Sequence, residues 1–211
     1  MTTKRASNKS AVQKTTVVKT EEPSQQLIPV DSFSLSSIGA YMLFKEIDEE
    51  SSEDLCEFLI KANYVFPPDQ PLTILINSPG GVVYDAFGII DLIECSRLEI
   101  QTVAIGAVAS MAALIFVAGT KGKRVMSRNS FIMTHQFSQG ISARYHEFVA
   151  QRSHEDELHQ RFVQHFVRHT KMTEKQVNDV LLSTSDKWIN AKDCLKYGLC
   201  DKIEDPWEKY E

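Results

Sequence analysis

The sequence predicts an α/β protein of parallel strands joined by crossover helices, and three observations carry that prediction. Short apolar runs suited to strands buried on both faces recur along the chain, with LTILI at 72–76 and IQTVAI at 100–105 the sharpest. Between them lie segments whose apolar residues recur at helical spacing. Strand, helix and strand follow one another in succession with no internal repeat, the pattern of a layered α/β domain. The 211 residues, 43% of them hydrophobic, suffice for one substantial domain with a large core.

Taken in order, residues 1–27 are rich in Thr, Ser, Lys, Gln and Glu without a hydrophobic period, which predicts a disordered or cleavable tail. Residues 28–211 are expected to form a single domain, its folded part beginning between Leu27 and Tyr41. AYMLFK at 40–45 reads as a first strand, and a helix is expected from Ser52 to Tyr64, with Leu55, Phe58, Leu59 and Ala62 facing the sheet and Pro67 and Pro68 stopping it. After the strand at 72–76, NSPGG breaks the chain and a helix runs from Tyr84 to Leu98. The strand at 100–105 leads through GAVAS to an apolar helix, Met111–Val117. Val125–Met126 and Phe131–Thr134 read as short strands. A long amphipathic helix spans roughly 142–169, a shorter one 174–182, and a small strand-and-turn region ends in YGLCDKI.

Composition excludes several classes. The 23 basic and 28 acidic residues leave a net charge of -5, which argues against nucleic acid as the main partner. No stretch approaches the ~18 apolar residues of a membrane span, and the start lacks the apolar core of a secretory signal. Cys56, Cys95, Cys194 and Cys200 follow neither a disulfide framework nor a zinc pattern, so a reducing, cytoplasmic setting without structural metal is expected. There is no Walker A motif, so any ATP dependence belongs to a partner.

Four features bear on chemistry. Ser110 lies in GAVASMAA, where small residues precede a strand-to-helix junction; it reads either as a helix cap or as an exposed nucleophile. His135 follows FIMT at a strand end, as a hydrogen-bonded core histidine or as a general base. Asp186, in STSDKWINA, is a solvated loop residue or the group that orients that imidazole. Asn77–Ser78–Pro79–Gly80–Gly81 is a plain turn or a place where backbone N–H groups face a ligand, with Gly81 and Met111 as candidate oxyanion donors.

Together these features resemble a known family. INSPGG, GAVASMAALIFVAGTKGKRVMSRNSFIMTHQ and NAKDCLKYGLCDKI are similar to the proteolytic subunits of the Clp protease, in the crotonase-like superfamily, from about residue 42 to 204. The resemblance implies a layered ClpP-like fold with a long protruding handle helix. It implies a serine endopeptidase with Ser110 as nucleophile, His135 as base, Asp186 as the acid, and Gly81 and Met111 as oxyanion hole. It further implies heptameric rings stacked in pairs, a AAA+ unfoldase partner, unfolded polypeptide or peptide substrates, and no metal or organic cofactor.

The chain also departs from the family pattern. HQFSQG lacks the proline and glycine pair that usually follow the histidine, placing Phe137 and Ser138 beside the expected substrate wall. DSFSLSSIGAYM matches the family's N-terminal helix poorly. An inactive or weakly active subunit of a mixed ring is therefore the alternative reading, and a hydratase of the same superfamily a more remote one. His146, His154, His159, His165 and His169 crowd the long helix and are expected to be mostly ordinary surface or interface residues.

Overall fold

The computed structural model describes residues 34–136 and 144–204, without the side chains of Tyr145, Phe148 and Ala150. The tail 1–27 and the substituted segment at Phe137 and Ser138 lie outside the described residues.

After a short 3-10 turn, Leu35–Ile38, the chain enters β1 (Ala40–Leu43), α1 (Glu49–Val65), β2 (Leu72–Ser78), α2 (Val83–Glu94), β3 (Ile100–Ala109) and α3 (Met111–Val117). It continues through β4 (Arg124–Met126), β5 (Phe131–Thr134), α4 (Tyr145–His169), α5 (Glu174–Gln176), β6 (Lys187–Asn190), α6 (Ala191–Tyr197) and β7 (Lys202–Ile203). The strands form a seven-stranded sheet in the order β1-β2-β3-β4-β7, with β5 pairing β3 and β6 pairing β5. Every pairing is parallel except that of β5 with β6. The α/β expectation holds, as a mixed sheet with flanking helices.

α2 ends at Glu94 rather than Leu98, and the expected strand-and-turn region at the end contains the helix α6; three further differences have local causes. α1 begins at Glu49 rather than Ser52, because Asp48 and Ser51 form a reciprocal capping box: the Ser51 N–H donates to Asp48 Oδ1 at 2.8 Å and the Asp48 N–H to Ser51 Oγ at 2.9 Å. β3 runs on to Ala109 instead of ending near residue 105. Gly106, at φ 71°, is where it bulges, since Ile76 faces Ala104 but Ser78 faces Val108. Asn77 Oδ1 accepts from the Ala107 N–H at 3.2 Å and supports the displaced backbone. The upstream half of β3 thus pairs with β4 and the downstream half with β5. β6, third, occupies residues that read as irregular.

The core gathers around α3, which is buried on every side. Ile115, Phe116 and Val117 are fully enclosed by residues such as Ile89 of α2, Ile76 of β2 and Phe166 of α4. Each such side chain contributes about 1.5–3 kcal/mol through burial. α4 divides into two parts. Its first half is largely solvated, with the i,i+4 pair Arg152–Asp156, while Leu158, Phe162, Val163 and Phe166 bury its second half. Among the described residues no helix is long and apolar enough to cross a membrane.

One buried ion pair closes the sheet at its short end. Arg124 of β4 is 4% exposed and grips Asp201 with two bonds, Nε to Oδ2 at 2.8 Å and Nη2 to Oδ1 at 2.6 Å. Its Nη1 donates to the His169 carbonyl at 2.5 Å, joining the end of α4 to the sheet. Burial alone would raise the Asp201 carboxyl, but hydrogen bonds from Arg124 and Gly122 outweigh it and hold the pKa below the ordinary 3.8. The folded state thus binds fewer protons than the unfolded one in this window. The pair's stabilisation is complete above about pH 4 and declines as the pH falls through the depressed pKa. Asp201→Asn leaves the Arg124 charge buried without its partner and is expected to cost about 3 kcal/mol in urea unfolding at neutral pH. Its loss of stability below pH 4 should be shallower than that of the wild type.

Candidate active site

Strand register brings the candidate residues together. β3 and β5 run parallel with Ala109 opposite Met133, so the residues leaving both strands emerge at the same end. Ser110 follows Ala109, and its N–H donates to the Met133 carbonyl at 2.8 Å. Among the described residues it is the one non-glycine at positive φ, with φ 53° and ψ -124°. Such a conformation costs about 1–3 kcal/mol and turns the side chain away from the helix it precedes. The hydroxyl makes no capping bond to α3; instead Oγ lies 2.9 Å from Nε2 of His135. Ser110 thus occupies the N-cap position of α3 without making a side-chain capping bond.

The NSPGG turn is fitted against this serine. A Cβ on Gly80 would stand 2.7 Å from Ser110 Cβ and 2.7 Å from the Ala109 carbonyl oxygen, so the close approach requires glycine. A Cβ on Gly81 would lie 2.0 Å from the Ile47 carbonyl oxygen. Ile47 clamps this turn: its N–H donates to the Gly80 carbonyl, and its own carbonyl accepts from the Val82 N–H, both at 2.8 Å. That pattern skips the Gly81 N–H. Among the described residues neither it nor the Met111 N–H has a hydrogen-bond partner.

A cleft of about 130 Å³ is lined by Gly81, Ser110, Met111 and His135, with Leu114 and Phe162 among its apolar walls. Thr134 also lines it, and its buried hydroxyl has no partner among the described residues. Four of the five residues singled out in the sequence thus share one cleft. Asp186 is placed differently. β5 and β6 pair antiparallel with Thr134 opposite Lys187, so the next residues, His135 and Asp186, continue the same register. Yet Asp186 is exposed, and no hydrogen bond or ion pair reaches its carboxylate among the described residues. The backbone brings the acid to the histidine's side; the side chains do not meet.

Sequence reasoning missed Gln136 and Leu182. The Gln136 amide donates to the Leu182 carbonyl at 2.9 Å, fastening the segment after α5 to the end of β5. The HQ pair was the available signal, but the carbonyl partner lies 46 residues away. The crowded histidines of α4 disperse: His154 bonds Tyr84, His159 bonds Asn178, and only His165 and His169 converge.

A serine hydroxyl facing an imidazole, on a strained strand-to-helix turn beside two unpartnered N–H groups, has the groups that nucleophilic acyl transfer would use. Comparison with known proteins narrows the class: the Clp protease family model matches residues 33–206, and the chain belongs to that family. It is 30% identical over 161 residues to the ATP-dependent Clp protease proteolytic subunit 1 of Corynebacterium glutamicum, covering 76% of each chain. The subunit 1 of Corynebacterium diphtheriae gives the same identity and coverage, and subunit 2 of Corynebacterium jeikeium is 29% identical over 161 residues.

Gly80→Ala tests the fit of turn to serine. The added methyl displaces Ser110, and a displacement near 1 Å is worth about a hundredfold in rate. Labelling of Ser110 by a fluorophosphonate should slow by about that factor while far-ultraviolet circular dichroism is unchanged.

Proposed function

We propose that this chain is a serine endopeptidase subunit that cleaves unfolded proteins and short peptides through an acyl-enzyme. The observation that carries the reading is the 2.9 Å contact of Ser110 Oγ with His135 Nε2 on a turn held at φ 53°. Ser110 attacks the scissile carbonyl while His135 takes its proton and later returns it to the leaving amine. The Gly81 and Met111 N–H groups receive the developing oxyanion, a contribution of about 3 kcal/mol per donor. Water then hydrolyses the ester by the same proton path. Asp186 is assigned the orientation of His135, a role that needs a rotation of its exposed side chain toward the ring.

Family membership supports the wider reading. On it, the fold is the crotonase-like layered arrangement, and α4 is the handle that pairs two seven-membered rings. The partner is a AAA+ unfoldase that feeds extended chain into the chamber, and the setting is cytoplasmic. The curated relatives carry the printed description "ATP-dependent" and are numbered subunits 1 and 2. The disengaged Asp186 favours one alternative, a weakly active subunit that depends on a neighbouring subunit in a mixed ring.

Intact-mass analysis after fluorophosphonate treatment separates the two. The active reading expects one adduct on the wild-type chain and none on Ser110→Ala. Under the same reading Asp186→Asn lowers peptide hydrolysis on the order of 10⁴-fold. An unlabelled wild-type chain in assembled rings, or hydrolysis indifferent to Asp186→Asn, supports the weakly active subunit instead.

A further inference from the structure

Away from the Ser110 cleft, Glu94 at the end of α2 and His165 and His169 of α4 each bring one ligand-capable atom to within 4.8 Å of the others. The two histidines are four residues apart, which places both imidazoles on one face of the helix. The carboxylate comes from a different helix, so the convergence is tertiary and does not follow from helical spacing alone.

The hydrogen bonds around His165 leave a mismatch. The ring is 3% exposed, and its Nε2 lies 2.9 Å from the Leu114 carbonyl oxygen. A carbonyl only accepts, so Nε2 carries the proton and the neutral ring presents a bare lone pair at Nδ1. That lone pair faces Glu94 Oε1, another acceptor, at 3.7 Å. Burial opposes a second proton on the ring. Among the described residues no donor reaches Nδ1. His169 Nε2 stands 2.9 Å from the same Oε1, and Arg168 holds the other carboxylate oxygen at 3.0 Å.

We propose that His165 Nδ1, His169 Nε2 and Glu94 Oε1 form a binding site for a divalent transition-metal ion of the zinc class, with water as fourth ligand. Two imidazoles and a carboxylate suit zinc rather than calcium or magnesium, which prefer oxygen shells. Bonds of about 2.0–2.1 Å set the donors of a tetrahedral shell roughly 3.3 Å apart. The separations of 2.9 Å and 3.7 Å from Oε1 bracket that value. The outer partners are in place: the Leu114 carbonyl fixes the His165 tautomer, and Arg168 orients the carboxylate. On binding, the neutral His169 ring takes its Nδ1–H tautomer, so that Nε2 presents its lone pair to the ion and the ring stays neutral. Entry is through a surface cavity of about 690 Å³ lined by Glu94, His165, Arg168, Tyr84 and His154. The ion ties α2 to α4 and does not enter the peptidase chemistry.

Full-length, chelator-treated protein is titrated with zinc sulfate by calorimetry and, in parallel, with cobalt(II) by visible absorption. The expected result is one ion per chain at micromolar affinity or tighter, with the intense visible bands of four-coordinate cobalt. Glu94→Gln and His169→Gln should each weaken binding by about a hundredfold. A double His146→Gln, His159→Gln variant should bind as the wild type does. No uptake by the wild-type chain overturns the proposal whatever the variants do, as does uptake that both single substitutions leave unchanged.

Discussion

The site rests on the close approach of a glycine backbone to Ser110. Gly80 approaches Ser110 so closely that a single added carbon would stand 2.7 Å from the serine Cβ. Three separately positioned pieces make that approach possible. β3 must continue past its bulge at Gly106 to deliver Ser110, β5 must accept the Ser110 N–H through Met133, and Ile47 must clamp the glycine turn from its other side. The Met133 and Ile47 joins are main-chain hydrogen bonds, and the Asn77 side chain supports the bulge. Ser110, His135 and the unpartnered N–H groups are therefore placed by sheet register.

That origin explains what could be read in the sequence. The enclosed α3 announces itself by continuous apolar character, because burial on all sides leaves no polar face, while LTILI is legible as a short apolar run whose Leu72, Ile74 and Ile76 are buried. The continuation of β3 was hidden, since Gly106 looks like a break and instead marks a bulge within the strand. β6 was hidden for a different reason: of Lys187, Trp188, Ile189 and Asn190 only Ile189 is buried, which leaves no hydrophobic alternation to detect. The start of α1 was missed because Glu49 to Ser52 are all polar, and it is the Asp48–Ser51 exchange that begins the helix.

Of the candidate site, Ser110, His135, Gly81 and Met111 were legible as residues, but the contact between serine and imidazole was not, since it depends on the pairing of Ala109 with Met133. The position of Asp186 shows the same limit from the other side. Register carries it to the edge of the site, and only its rotamer decides whether a carboxylate meets the ring. Walls such as Leu114, Phe162 and Leu182 come from three elements, and nothing local marks them as neighbours.

The backbone of Ser110 has an evolutionary corollary. At φ 53° glycine would be the more comfortable occupant, so the hydroxyl is kept at a site where stability favours its loss. A buried core residue is held by folding itself, because its replacement weakens the whole domain. Ser110 has no such protection, and on the proposed reading it is selection on reactivity that opposes the drift to glycine. A duplicated copy of the gene can therefore lose this hydroxyl without losing the fold.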